Sequence, residues 1–131
     1  MSAGTPSPGR AGAPWIALAA LLGASGVVLA AFGTHALRGR LAAPVFAAWD
    51  IAVDYQLLHA VALLALGLYA GATGRSVRLP ASLLAVGLAL FCGSLYLLAG
   101  AGVSAAGAVA PIGGMTLVAG WLSLLTLLRS R

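Results

Sequence analysis

The sequence predicts an all-α integral membrane protein: a bundle of four transmembrane helices with a short interfacial amphipathic helix between the first two. Three observations predict it. The first is composition, since 62% of the 131 residues are apolar and only 7% charged. A soluble domain carries about a quarter charged residues, and at this size it needs them to clothe its surface. The second is the placement of the charges. Arg10, Arg38, Arg40, Asp50, Asp54, Arg75, Arg78, Arg129 and Arg131 bound neutral stretches at 11–34, 55–74 and 79–128. The third is the length of those stretches, because about 20 apolar residues cross a hydrocarbon core of about 30 Å. The first two stretches fit one span each. The last fits two, divided by the small, turn-forming run from Gly100 to Pro111.

Residues 1–13 are small, polar and broken by prolines, and read as a disordered tail ahead of a single membrane domain at 14–129. The apolar run after Trp15 continues to Phe32, too long for the core of a signal peptide, so a retained first span is expected over 14–36. The other spans are expected over 55–73, 80–99 and 112–128. Between the first two, Pro44 suits a first helical turn. Phe46, Trp49 and Val53 share one face and Asp50 and Asp54 a neighbouring one, so 44–54 reads as a helix lying on the membrane surface. The alternative is one long helix through 44–72.

Four spans place both termini and the 74–79 loop on one side, with Arg10, Arg75, Arg78, Arg129 and Arg131. The other side has only Arg38 and Arg40. The positive-inside rule then puts both termini in the cytoplasm. The arginines sit at span ends and form no stripe, so the net charge of +5 does not point to nucleic acid. Cys92 is the single cysteine and cannot form an internal disulfide.

Polar groups in or beside a membrane are costly and are the residues to examine first. His35, Asp54, Tyr55, Gln56, His59 and Tyr96 form a candidate polar cap at the extracytoplasmic ends of the spans, either locking the helices or binding a small ligand or lipid headgroup. Tyr55, Gln56 and His59 share a helix face, whereas His59 points away from Asp50. Two histidines without a third ligand carry little metal signal, so no metal or cofactor is expected and His59 reads first as a structural group bonded to a neighbouring helix. Asp50 and Asp54 read as ion-pair partners of Arg38 or Arg40. Small residues at four-residue spacing, among them Gly67 and Gly71, Ala89 and Gly93, and Thr116 and Gly120, mark close helix packing or a homo-oligomer face. Gly113 and Gly114 join this set.

Four short motifs occur in order: Ala31-Phe-Gly-Thr-His-Ala-Leu37, Asp54-Tyr-Gln-Leu-Leu-His59, Phe91-Cys-Gly-Ser-Leu-Tyr96, and Pro111-Ile-Gly-Gly114 followed by Ala119-Gly-Trp121. Together they resemble the YgdD-type small inner-membrane family, the domain of unknown function 423, which includes transmembrane protein 256. The resemblance covers about residues 15–128. It implies a four-span bundle in a bacterial plasma membrane and no assigned activity. Thr34 stands where the family more usually has Ala, and 98–110 is unusually rich in Gly and Ala.

No enzyme is expected. A small multidrug exporter needs an acid in its first span, a quinone-linked disulfide enzyme needs cysteine pairs, and Ser94 has no histidine near it in sequence to act as a base. The leading expectation is a structural or accessory membrane component acting through helix–helix contacts. Its partners would be membrane lipid and either a second copy or a larger membrane complex. The alternatives are an oligomeric translocator of a small solute or ion using the polar cap, and a haem-binding electron carrier.

Overall fold

The computed structural model describes residues 8–129, and every regular element among them is helical. Four helices are long and apolar enough to cross a membrane: α1 (Ala13–Leu37), α2 (Ala43–Thr73), α3 (Arg78–Gly100) and α4 (Ser104–Leu128). Prolines 14, 44, 80 and 111 each fall in a first α-helical turn, where the missing N–H has no intrahelical acceptor to lose. The end of α2 is set by Gly74, whose left-handed backbone (φ 69°) turns its N–H back onto the Ala70 carbonyl.

Each expected span is present, with different bounds. The first closes in a π-turn over Gly33–Leu37, with the Arg38 N–H bonded to the Gly33 carbonyl at 2.9 Å. The fourth starts earlier than residue 112, because one 3-10 turn (Ser104–Ala108) precedes its α-helical part (Ala110–Ser123) and another (Leu124–Leu128) follows it. Of the tail expected at 1–13, residues 1–7 lie outside the described residues. Pro8–Ala11 form one helical turn, and Gly12 packs closely on Gly67 of α2.

The separate surface helix expected at 44–54 is not found. Those residues are the opening turns of α2, which runs unbroken for 31 residues, about 46 Å at 1.5 Å per residue. Of the face that suggested a membrane anchor, Trp49 and Val53 are instead buried in the bundle and only Phe46 stays half-exposed. Trp49 and Val53 are each 5% exposed and pack with Ala99 of α3 and with Leu29 and Ala30 of α1. Burial against two helices removes more apolar surface from the headgroup region than lying flat on it, which favours continuing the helix.

The bundle is built in sequence order. α1 lies on α2, α2 on α3, and α3 on α4. Leu63, Leu84, Leu88, Ala52, Ala70 and Ala81 form the interior. Large apolar side chains such as Leu21, Val28, Val61, Met115 and Leu122 stand exposed on the outer faces, the reverse of a water-soluble surface and the arrangement lipid requires.

Close approach depends on missing side chains. A Cβ on Gly113 would fall 2.4 Å from the Phe91 backbone nitrogen, and one on Gly87 2.8 Å from that of Leu117. Gly120 likewise faces Leu84, and Gly67 faces Gly12 and Ile16. Gly71 is half-buried beside Gly12. Gly114 makes only an ordinary contact, 3.9 Å from Phe91. Gly93 is not a packing glycine, since nothing lies within 4 Å of a Cβ there. It opens on a groove between α1 and α3, because α4 packs one face of α3 and Gly93 belongs to another.

Candidate functional site

Contacts between α1 and α2 give the site its depth. Near one end of the bundle, Gly33 receives the Trp49 indole; near the other, Gly12 meets Gly67. His59 lies almost halfway between these two crossings, with Gln56 one turn nearer the Trp49 end. The polar residues therefore form a ladder descending from one end to mid-bundle, not a cap at the end. The reason is the early start of α2, which carries residues 55–59 into the middle of the helix.

The ladder has three rungs. At the top, the Trp49 Nε1–H donates to the Leu29 carbonyl of α1 at 3.0 Å. The ring also meets Tyr96 edge-on at 4.8 Å and Phe32 at 5.8 Å. A Cβ on Gly33 or Gly100 would strike the Trp49 ring at 2.6 and 2.9 Å, so the indole is wedged between two glycines on α1 and α3.

The middle rung is Gln56, 5% exposed. Its Nε2 donates to the Leu22 carbonyl at 2.9 Å and to Ser25 Oγ at 2.8 Å. Its Oε1 accepts from the Tyr96 hydroxyl at 2.7 Å. A carbonyl can only accept, so the contact with Leu22 sets which end of the amide is nitrogen. One side chain thereby ties α1, α2 and α3 together. Beside it, the Cys92 thiol donates to the Ala52 carbonyl at 3.2 Å, a weak bond that also joins α3 to α2.

The lowest rung is His59, 2% exposed. Trp121 Nε1 of α4 lies 3.1 Å from its Nε2, and its Nδ1 lies 2.7 Å from the Tyr55 carbonyl. An indole N–H can only donate, so Nε2 is the acceptor. Nδ1 then carries the proton and donates to the carbonyl. Both ring nitrogens are thus engaged by the chain itself, and Nε2 has no lone pair left for a metal or haem iron. Tyr55 is more open, stacked on His59 at 5.8 Å and against Phe91 at 4.6 Å.

The remaining candidates do not join the ladder. His35 is exposed in the π-turn that ends α1. Asp54 is exposed, as is Asp50. Among the described residues neither acid forms an ion pair. Arg38 instead lies over the Phe46 ring, 5.4 Å from its centroid, an arrangement that leaves its charge solvated. No group of three or more His, Cys, Asp or Glu among the described residues could hold a metal ion. Sequence reasoning did not nominate Trp49, Ser25, Cys92 or Trp121 as members of the site. Trp121 and Cys92 stand inside quoted motifs, but nothing local indicates that they bond to His59 and Ala52.

At the far end Arg75 makes a second polar tie. Its guanidinium donates to the Tyr69 hydroxyl at 2.8 Å, to the Leu127 carbonyl at 2.6 Å and to the Arg129 carbonyl at 3.0 Å. The loop between α2 and α3 thereby caps the C-terminal carbonyls of α4, which have no intrahelical partner.

Compared with known proteins, the chain matches at residues 29–114 the family described as "Protein of unknown function (DUF423)". It belongs to this family. The match runs from the end of α1 into α4 and includes Trp49, Gln56, His59, Cys92 and Tyr96. A UPF0382 membrane protein of Staphylococcus haemolyticus is 40% identical over 111 residues, covering 85% of this chain and 91% of the relative. One of Staphylococcus epidermidis is 41% identical over 110 residues, 84% of this chain and 90% of the relative. One of Haemophilus influenzae is 37% identical over 110 residues, 84% and 89% respectively. No solved structure matches. These relatives are named as membrane proteins and come from bacteria, in keeping with the four apolar helices of spanning length in this chain. Neither the family description nor the relatives' names carry an activity.

Proposed function

We propose that this DUF423 protein is a non-enzymatic structural or accessory component of a bacterial plasma membrane, acting through helix–helix contacts with a larger membrane complex. One observation carries the reading: among the described residues, no buried polar side-chain atom lacks a hydrogen-bond partner. Gln56, His59, Trp49 and Tyr96 bond across helices rather than presenting groups to a substrate. Solute translocation needs a polar path along the bundle, and here the axis is filled by Leu63, Leu84 and Leu88, each no more than 2% exposed. A haem held by both histidines needs a free nitrogen on each, and both nitrogens of His59 are occupied.

In the same reading, both termini face the cytoplasm. Arg10, Arg75, Arg78 and Arg129 gather at the end of the bundle that holds the termini and the α2–α3 loop, and the positive-inside rule orients that end. A membrane-impermeant maleimide on a Ser2→Cys variant in a Cys92→Ser background tests the orientation. Labelling should require opening the cells from the cytoplasmic side; labelling of intact cells would reverse the assignment.

The function is tested by purifying the full chain in mild detergent, weighing the particle by light scattering and identifying co-eluting proteins. Stoichiometric recovery with a larger membrane complex supports the accessory role. A homogeneous particle of this chain alone, particularly one that conducts solute in vesicles, would refute it.

A further inference from the structure

We propose that the cleft at the arginine-rich end of the bundle seats the phosphate of an anionic membrane phospholipid, with Arg78 as its charge contact and Trp15 and Ser76 as neutral donors. The site is independent of the accessory reading. The cleft has a volume of about 520 Å³ and lies between the start of α1 and the α2–α3 loop, lined by Ala11, Pro14, Trp15, Ser76, Val77 and Arg78.

Charge selects the ligand. The chain holds seven basic and two acidic side chains, net +5. At the far end Arg38 and Arg40 balance Asp50 and Asp54, so the excess among the described residues, carried by Arg10, Arg75, Arg78 and Arg129, belongs to the end that bears the cleft. That end has no Asp or Glu side chain to neutralise an arginine, and the potential there attracts an anion.

Donor accounting then picks out the cleft. Arg75, three residues before Arg78, is spent on three acceptors within the chain. The exposed Arg78 side chain has none among the described residues, and it lines the cleft. The tryptophans divide in the same way. Trp49 and Trp121 donate to Leu29 and His59, whereas the Trp15 indole N–H has no acceptor among the described residues, and Trp15 lines the same cleft. The Ser76 hydroxyl accepts only a long contact, 3.4 Å, from the Arg78 N–H, leaving its own proton to donate. A guanidinium, an indole N–H and a hydroxyl around one cleft are donors without an acceptor, and a phosphate is acceptor-only.

Position selects lipid over a soluble anion. The cleft lies where α2 ends and α3 begins, at the limit of the apolar spans, which is headgroup level and the usual station of tryptophan. A lipid whose phosphate sat there could run its chains down the exposed apolar faces of the bundle.

The test is native mass spectrometry of the full chain released from mild detergent, titrated with phosphatidylglycerol or phosphatidylcholine of equal chain length. The wild type should retain phosphatidylglycerol preferentially. Arg78→Gln should weaken that retention roughly tenfold, the worth of one charge-assisted hydrogen bond. Trp15→Phe, which keeps the ring and removes the donor, should weaken it by a smaller factor, and Arg129→Gln should leave it unchanged. Equal retention of the two lipids, or equal losses in Arg78→Gln and Arg129→Gln, would overturn the site in favour of diffuse attraction. Displacement of phosphatidylglycerol by millimolar glycerol phosphate would overturn the lipid as occupant. Should Arg78→Gln fail to fold, Arg78→Lys serves instead: it keeps the charge but loses the planar fork, and unchanged retention would refute a specific guanidinium contact.

Discussion

Gln56 sits where α1, α2 and α3 meet, and it bonds to the first through Leu22 and Ser25 and to the third through Tyr96. Removing one rung should be measurable but modest, because buried side-chain hydrogen bonds in membrane bundles average about 0.6 kcal/mol and reach about 1.7. Tyr96→Phe should therefore lower stability by about 1 kcal/mol in reversible unfolding in detergent or lipid. Gln56→Leu should cost more, since it removes three bonds at once and strands the Tyr96 hydroxyl, whereas Ser25 keeps its bond to the Leu22 carbonyl. The two losses should not add in the double variant, as both delete the same bond. His59 makes a sharper spectroscopic prediction. Its imidazole should be the Nδ1–H tautomer, readable from the nitrogen chemical shifts of labelled protein, and Trp121→Phe should move the Nε2 resonance. An Nε2–H tautomer in the wild type would contradict the Trp121 bond. At this scale the sequence was partly legible. Gln56, His59, Tyr55 and Tyr96 announce themselves because a polar group in an apolar stretch is costly. Their partners do not, because Leu22 contributes a backbone carbonyl and Trp121 lies 62 positions from His59.

At the scale of elements, glycine separates contacts from grooves. Gly113→Ala should disrupt the α3–α4 contact, because its new methyl would meet Phe91 backbone, which cannot rotate away. Gly93→Ala, on the same two helices, should leave thermal stability within about 0.5 kcal/mol of the wild type, since it projects into open space. Thermal unfolding of the two variants side by side checks this, and equal losses would mean the packing is misassigned. Arg75 offers the corresponding test for a loop. Arg75→Ala should free the end of α4 and raise hydrogen exchange at Leu127 and Arg129. Arg75→Lys should restore this only in part, because an ammonium cannot reproduce the planar fork that reaches two carbonyls and a hydroxyl. Four-residue spacing of small residues found Gly67, Gly71 and Gly120 in close contacts. It missed Gly12, Gly26 and Gly87, which meet Gly67, Leu57 and Leu117 across helix contacts, and it included Gly93, which has nothing opposite.

For the whole molecule, four spans with both termini at one end followed from the sequence alone. Long neutral stretches have one stable solvent, and a helix is the only open-chain way to satisfy the backbone there. The division of the third stretch also followed, because a run of Gly and Ala before Pro111 cannot hold a single 50-residue helix together. The distribution of charge was equally plain, with Arg10, Arg75, Arg78 and Arg129 at one end and Arg38, Arg40, Asp50 and Asp54 at the other. Tertiary structure decided three things that periodicity could not. It joined the opening turns of α2 to the span, because burying Trp49 between Gly33 and Gly100 is available only once α1 and α3 are beside it. That junction moved Gln56 and His59 from the membrane edge to mid-bundle, turning a candidate cap into a ladder of bonds between helices. It also divided arginines of the same loop into one that is spent and one that is open. Local sequence carries hydrophobicity, length and charge, which set how a chain meets a bilayer. Which polar group finds a partner depends on neighbours dozens of residues away, and only the packed bundle brings those together.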